Sequence, residues 1–68
     1  MFKFIVEGVD TEDGSRCTLF EGHSSGEAIQ WMRSYARTED AGGWSLIEVY
    51  DIRGEDAERL AFWEREEA

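Results

Sequence analysis

The chain has 68 residues, with 16 Asp and Glu against 7 Lys and Arg, a formal net charge of −9. This length excludes a two-domain enzyme with an interdomain cleft, and the charge sets direct contact with nucleic-acid phosphate or anionic lipid against repulsion. Yet 41% hydrophobic and 13% aromatic content is too rich for a disordered acidic tail, so residues 1–68 are expected to fold as a single domain.

In chain order, Phe2 to Val9 alternates β-branched and aromatic residues with polar ones, the pattern of a strand. Asp10-Thr11-Glu12-Asp13-Gly14 is a turn that ends in a glycine able to take positive φ. Ser15 to Gly22 resumes the alternation, with Cys17, Leu19 and Glu21 on one face and Arg16, Thr18 and Phe20 on the other. Together they predict a β-hairpin.

Ser24-Ser25-Gly26-Glu27 is a capping box, in which the Ser24 hydroxyl accepts from the Glu27 amide. Behind it Ala28, Ile29, Met32, Tyr35 and Ala36 recur at helical spacing, with Trp31 on the flank of that stripe. The helix is expected to stop near Thr38, before Gly42 and Gly43.

Trp44 to Arg53 predicts a third strand, with Ile47 and Val49 facing the helix and Leu46, Glu48, Tyr50 and Ile52 on the opposite face. After the loop Gly54-Glu55-Asp56-Ala57, residues Glu58 to Arg65 are ambiguous. Their propensity favours a helix, but a helix would spread Leu60, Phe62 and Trp63 around more than half its circumference. A strand is preferred.

The expected fold class is therefore α+β: a small antiparallel sheet with one covering helix, in the order ββαββ, the runner-up being ββαβ with a C-terminal helix. Its core is expected to hold Phe4, Val6, Cys17, Leu19, Ala28, Ile29, Met32, Ala36, Ile47 and Val49. Phe20, Tyr50 and Trp63 are candidates for a bare sheet face that meets a partner or a second copy.

Signatures of chemistry are missing from the pattern. Cys17 and His23 lie six residues apart along one extended strand, about 20 Å, too far for a thiol–imidazole dyad. The acidic turn fails as an EF-hand loop, because Val9 falls at position 1 and Phe20 at position 12. One Cys and one His cannot close a tetrahedral zinc site, and Gly42-Gly43 precedes a strand with no lysine behind it, unlike a phosphate-binding loop. No catalytic residue, cofactor or metal is expected, and the protein is read as a non-enzyme. The lone cysteine rules out an intrachain disulfide and suits a reduced, cytoplasmic setting. Met1 to Phe4 opens no apolar run of signal-peptide type. The longest uncharged stretch, Ala41 to Ile47, has seven residues, against about 20 for a membrane helix.

The run Thr18 to Ala28, strand into serine-capped helix, resembles a pattern in small α+β proteins of phages and mobile elements. In length, acidity and strand–helix order the chain is similar to small anti-CRISPR inhibitors, over roughly the first 37 residues. The resemblance implies a single-domain inhibitor that occupies a surface on a nucleic-acid machine. No functional residue carries over from it position by position.

From the residues themselves the expectation is a protein–protein interaction module docking on a basic protein surface, one that normally holds nucleic acid, with the acids standing in for phosphates. Glu12, Asp13, Glu39, Asp40, Glu55 and Asp56 would steer association, and Trp44, Tyr50 and Trp63 would anchor it. No direct contact with nucleic acid or membrane is expected. The alternative is a structural homo-oligomer, a homodimer in the simplest case, whose acids serve only solubility.

Overall fold

The computed structural model describes residues 3–65. Phe2, at the start of the expected first strand, and Glu66 and Glu67 lie outside the described residues. The fold is a small α+β unit: strands β1 (Phe4–Asp10) and β2 (Arg16–Gly22), helix α1 (Ser25–Tyr35), a 3-10 turn (Glu39–Gly43), then β3 (Trp44–Asp51) and β4 (Glu58–Glu64). All neighbours in the four-stranded sheet pair antiparallel, in the order β2-β1-β3-β4. The C-terminal segment is thus a strand, because pairing with β3 and packing of Ala61 and Trp63 against the core override its helical propensity.

Local chemistry explains the connections. In the β1–β2 turn Gly14 has φ of 73°, while the Asp10 and Asp13 carboxylates accept from the amides of Glu12 (2.7 Å) and Ser15 (2.8 Å). Ser24 caps α1 from an extended conformation, its Oγ accepting from the Glu27 amide at 3.1 Å. The helix ends at Tyr35, three residues before Thr38, where the Thr38 amide and hydroxyl both donate to the Tyr35 carbonyl (2.9 and 2.7 Å).

The helix covers one sheet face. Phe4, Val6, Ala28, Met32, Ala41, Ile47 and Val49 are buried there. Ala41 comes from the 3-10 turn and was not among the expected core residues. Cys17, expected in the core, is exposed instead: it lies on edge strand β2, opposite Gly8. Leu19 and Ile29 are only partly buried and pack on the rim of the core, and Ala36 is half-buried.

Three irregularities redistribute side chains between the faces. In β3 the pairing passes from Leu46, opposite Val9, to Trp44, opposite Asp10, leaving Ser45 extra and turning Trp44 to the helix side. In β2 the pairing passes from Phe20, opposite Val6, to Thr18, opposite Glu7, leaving Leu19 as the extra residue of a β-bulge. Phe20 therefore packs toward the helix, not on the bare face, and Glu21 joins Arg16 and Thr18 there. In β4 the step from Ala61, opposite Val49, to Arg59, opposite Tyr50, makes Leu60 extra. Trp63 is opposite Ile47 and packs against the core, a second correction to the expected bare face.

An aromatic row links β2 to β3 along the flank of α1. Phe20 stacks on Trp31 (centroids 5.1 Å apart), Trp31 stacks on Tyr35 (4.8 Å), and the Trp44 indole donates to the Tyr35 hydroxyl at 2.9 Å. The Trp44 ring lies over buried Gly8, where an added Cβ would stand 2.7 Å from Trp44 Cδ2 and 3.0 Å from Leu19 Cδ1. Gly8→Ala is expected to lower stability by about 1–2 kcal/mol, the overpacking cost exceeding the gain from a less flexible unfolded chain. Urea unfolding measures it, and an unchanged midpoint would show that the ring moves aside freely.

Candidate interaction face

The opposite sheet face has no covering element. Register places Ile5, Glu7 and Val9 of β1 beside Leu46, Glu48 and Tyr50 of β3, with Arg16 and Thr18 on one flank and Arg59 and Phe62 on the other. At its centre Glu48 is only 3% exposed although no helix or loop covers this face, because neighbouring side chains close over it. Its carboxylate accepts from Arg16 Nη1 at 2.9 Å and from Arg59 Nη1 at 3.1 Å. Arg16 stands on β2, about 10 Å from β3 at ~4.8 Å per strand, so its side chain extends across β1 to reach Glu48. The Arg59 guanidinium also lies over the Phe62 ring, 4.6 Å from its centroid.

These contacts set the local electrostatics. Burial pushes the Glu48 carboxyl up, but hydrogen bonding from Arg16, Tyr50 and Arg59 outweighs it and holds the group below the usual carboxylate range. The Tyr50 hydroxyl moves the other way, raised first by burial and then by hydrogen bonding to Glu48 and its charge. Both arginine side chains remain about half exposed, at 52% and 48%. Their shared carboxylate orders them, and with Glu7 of β1 paired beside Glu48 the two arginines and two glutamates at the centre of the face balance in charge. Around it, Phe62 is 52% exposed, and Ile52 beyond the end of β3 is 37% exposed. The face is a mixed surface of rings, aliphatic side chains and charges held by ion pairs. Such a surface binds by complementarity.

The expected binding residues do not assemble into one patch. The pairings Asp10 with Trp44 and Phe4 with Asp51 mark opposite ends of the sheet. Glu12 and Asp13 in the β1–β2 turn and Glu39 and Asp40 in the 3-10 turn share the first end, where the Thr11 amide donates to the Gly43 carbonyl. Glu55 and Asp56, in the β3–β4 loop, lie at the other end, about 20 Å away at ~3.3 Å per residue. Of the three expected anchors, Tyr50 alone is on the open face; Trp44 and Trp63 pack on the helix side. Arg16, Glu48, Arg59 and Phe62 were not among the expected binding residues. The available signal was Glu48 itself, a carboxylate inside the run Leu46-Ile47-Glu48-Val49-Tyr50.

Among the described residues no group of three or more His, Cys, Asp or Glu is placed to hold a metal ion, and no helix is long and apolar enough to cross a membrane. No protein family matches the chain, and comparison with curated proteins and with solved structures finds no match for it either.

Proposed function

We propose that this protein is a non-enzymatic interaction module that presents its open sheet face to a basic surface of a partner protein. The observation that carries this reading is the uncovered face itself, with exposed Phe62 and half-buried Tyr50 and Leu46 held in register by the Arg16–Glu48–Arg59 bridge. Acidic groups stand at both ends of that face, Glu12, Asp13, Glu39 and Asp40 at one and Glu55 and Asp56 at the other. They form a rim that draws in a positively charged partner while the rings supply contact area. Charge also weighs against the homo-oligomer, since two copies at −9 each repel on approach. A surface that normally holds nucleic acid is the basic surface this arrangement suits best, and occupying it would inhibit its owner. That is the inhibitor role which the resemblance to small acidic phage proteins implies.

The test begins with capture from a lysate, with and without nuclease, using the native chain and a Phe62→Asp variant shown by circular dichroism to be folded. A basic protein held by the native chain and released by the variant supports the reading. Capture that ignores Phe62→Asp, or a stable dimer by light scattering that buries the open face, overturns it.

Salt tests the steering role of the acids. With the captured partner, the association rate is expected to fall about tenfold or more between 0.01 M and 0.15 M salt, as the Debye length shrinks from ~30 to ~8 Å. Glu55→Lys with Asp56→Lys should lower kon and leave koff nearly unchanged, because rim charges act on encounter. A salt-independent association rate would leave these acids as solubilising groups only.

A further inference from the structure

On the helix side of the sheet, a groove of about 370 Å³ runs between the C-terminal half of α1 and β4. Met32, Ala36, Ala61 and Trp63 line it, Phe62 borders its rim, and Arg33 from the last turn of α1 and Arg37 from just beyond the helix stand beside it. The two arginines stand apart from the rest of the molecule's charge. Arg16 and Arg59 bond Glu48, Arg53 bonds Asp51, and Arg65 donates to the Gly42 carbonyl at 3.1 Å. Among the described residues, Arg33 and Arg37 alone of the arginines donate to no protein acceptor, in a chain where acids outnumber bases 16 to 7. The helix C-terminus favours cations at this position, but no protein acceptor among the described residues takes up the guanidinium N–H groups. An apolar trough beside two guanidiniums with open donors has the composition of a small-ligand site, mostly apolar with a few convergent polar groups.

We propose that this groove binds a small amphipathic oxyanion, its apolar ring system seated against Ala36, Ala61 and Trp63 and its carboxylate or phosphate held by Arg33 and Arg37. The headgroup follows from guanidinium geometry, which pairs with planar or tetrahedral oxyanions through paired N–H donors. The size follows from the volume, that of about twelve waters at ~30 Å³ each, enough for a two-ring body with one anionic group. The site lies on the helix side of the sheet, and Phe62 at its rim is the one lining residue it shares with the open face.

Titration of the 15N-labelled full chain with 2-naphthoate, 2-naphthyl phosphate and the neutral 2-naphthalenemethanol tests it. Saturable shifts are expected at the amides of residues 32–37 and 61–63 and at the Trp63 indole, with Kd on the order of 0.1–3 mM for so few atoms. The tighter of the two anions identifies the headgroup. Arg33→Gln with Arg37→Gln, both at exposed positions, should weaken binding about tenfold or more, and the alcohol should bind the native chain about as poorly. The amide spectrum itself reports that the variant is folded. No saturable shift by about 10 mM of either anion, equal binding of the alcohol, or indifference to the double substitution would overturn the proposal.

Discussion

Trp63→Ala is expected to lower the stability of the fold by about 3 kcal/mol, whereas Phe62→Ala, one residue earlier, leaves it within about 1 kcal/mol of the native chain. The two rings are neighbours in sequence and lie on opposite faces of β4. Trp63 is opposite Ile47 and packs against the buried core, and its removal strips that packing and widens the groove beside Ala61 and Met32. Because it is only half-buried, its cost falls at the low end of the range for deleted core aromatics. A domain this small has only about 3–10 kcal/mol in total, so the loss is a large fraction of it, a fall of about 15 °C in Tm. Phe62 is opposite Glu48, is 52% exposed, and touches the Arg59 guanidinium. Its truncation should act on the complex, raising koff with a cost of about 2 kcal/mol in partner binding if it fills a pocket there. Thermal melts of both variants followed by binding kinetics decide the matter. A stable Trp63→Ala, or a destabilised Phe62→Ala, would exchange the roles of the two faces.

Glu48→Gln should cost about 2 kcal/mol at neutral pH, and that cost should disappear in acid. The substitution keeps the shape of the side chain and removes the charge that Arg16 and Arg59 share at 2.9 and 3.1 Å. Breaking a fully buried ion pair costs about 3–5 kcal/mol; here the two guanidiniums are half exposed and recover water, which reduces the penalty. The sign of the pH dependence follows from the lowered Glu48 carboxyl. Its contribution is fully present above the unfolded-chain value of about 4.3 and is lost as pH falls through the lower folded value. Native and Glu48→Gln stabilities should therefore differ at pH 7 and converge as pH falls below the unfolded-chain value through the lower folded one. Both proteins share the relief of repulsion among the other carboxylates as they protonate, so the difference between them isolates Glu48. Urea unfolding at a series of pH values measures it. A gap independent of pH would mean that Glu48 acts through packing and not through its charge.

Much of the architecture was legible residue by residue. The hairpin followed from alternation and from a turn ending in Gly14, the helix start from Ser24 and Glu27, and the inward side of β3 from Ile47 and Val49. These features depend on neighbours within about four positions, where backbone preference and capping act. Strand register lies outside that range. The extra residues Leu19, Ser45 and Leu60 each shift the alternation by one: the first moved Phe20 to the helix side and Glu21 to the open face, the second turned Trp44 to the helix side, and the third placed Arg59 on the open face.

Sequence by itself determined the class, a small acidic α+β domain, and the excess of carboxylates, because composition and periodicity need no knowledge of which strands meet. Tertiary structure decided which face lies open, that Cys17 is exposed, that Trp44 and Trp63 support the core, and that Arg16 and Arg59 converge on Glu48. The physical reason is distance along the chain. Arg16 and Glu48 are 32 positions apart and meet at 2.9 Å only because β1 pairs with both β2 and β3, a juxtaposition set by the closing of the whole sheet.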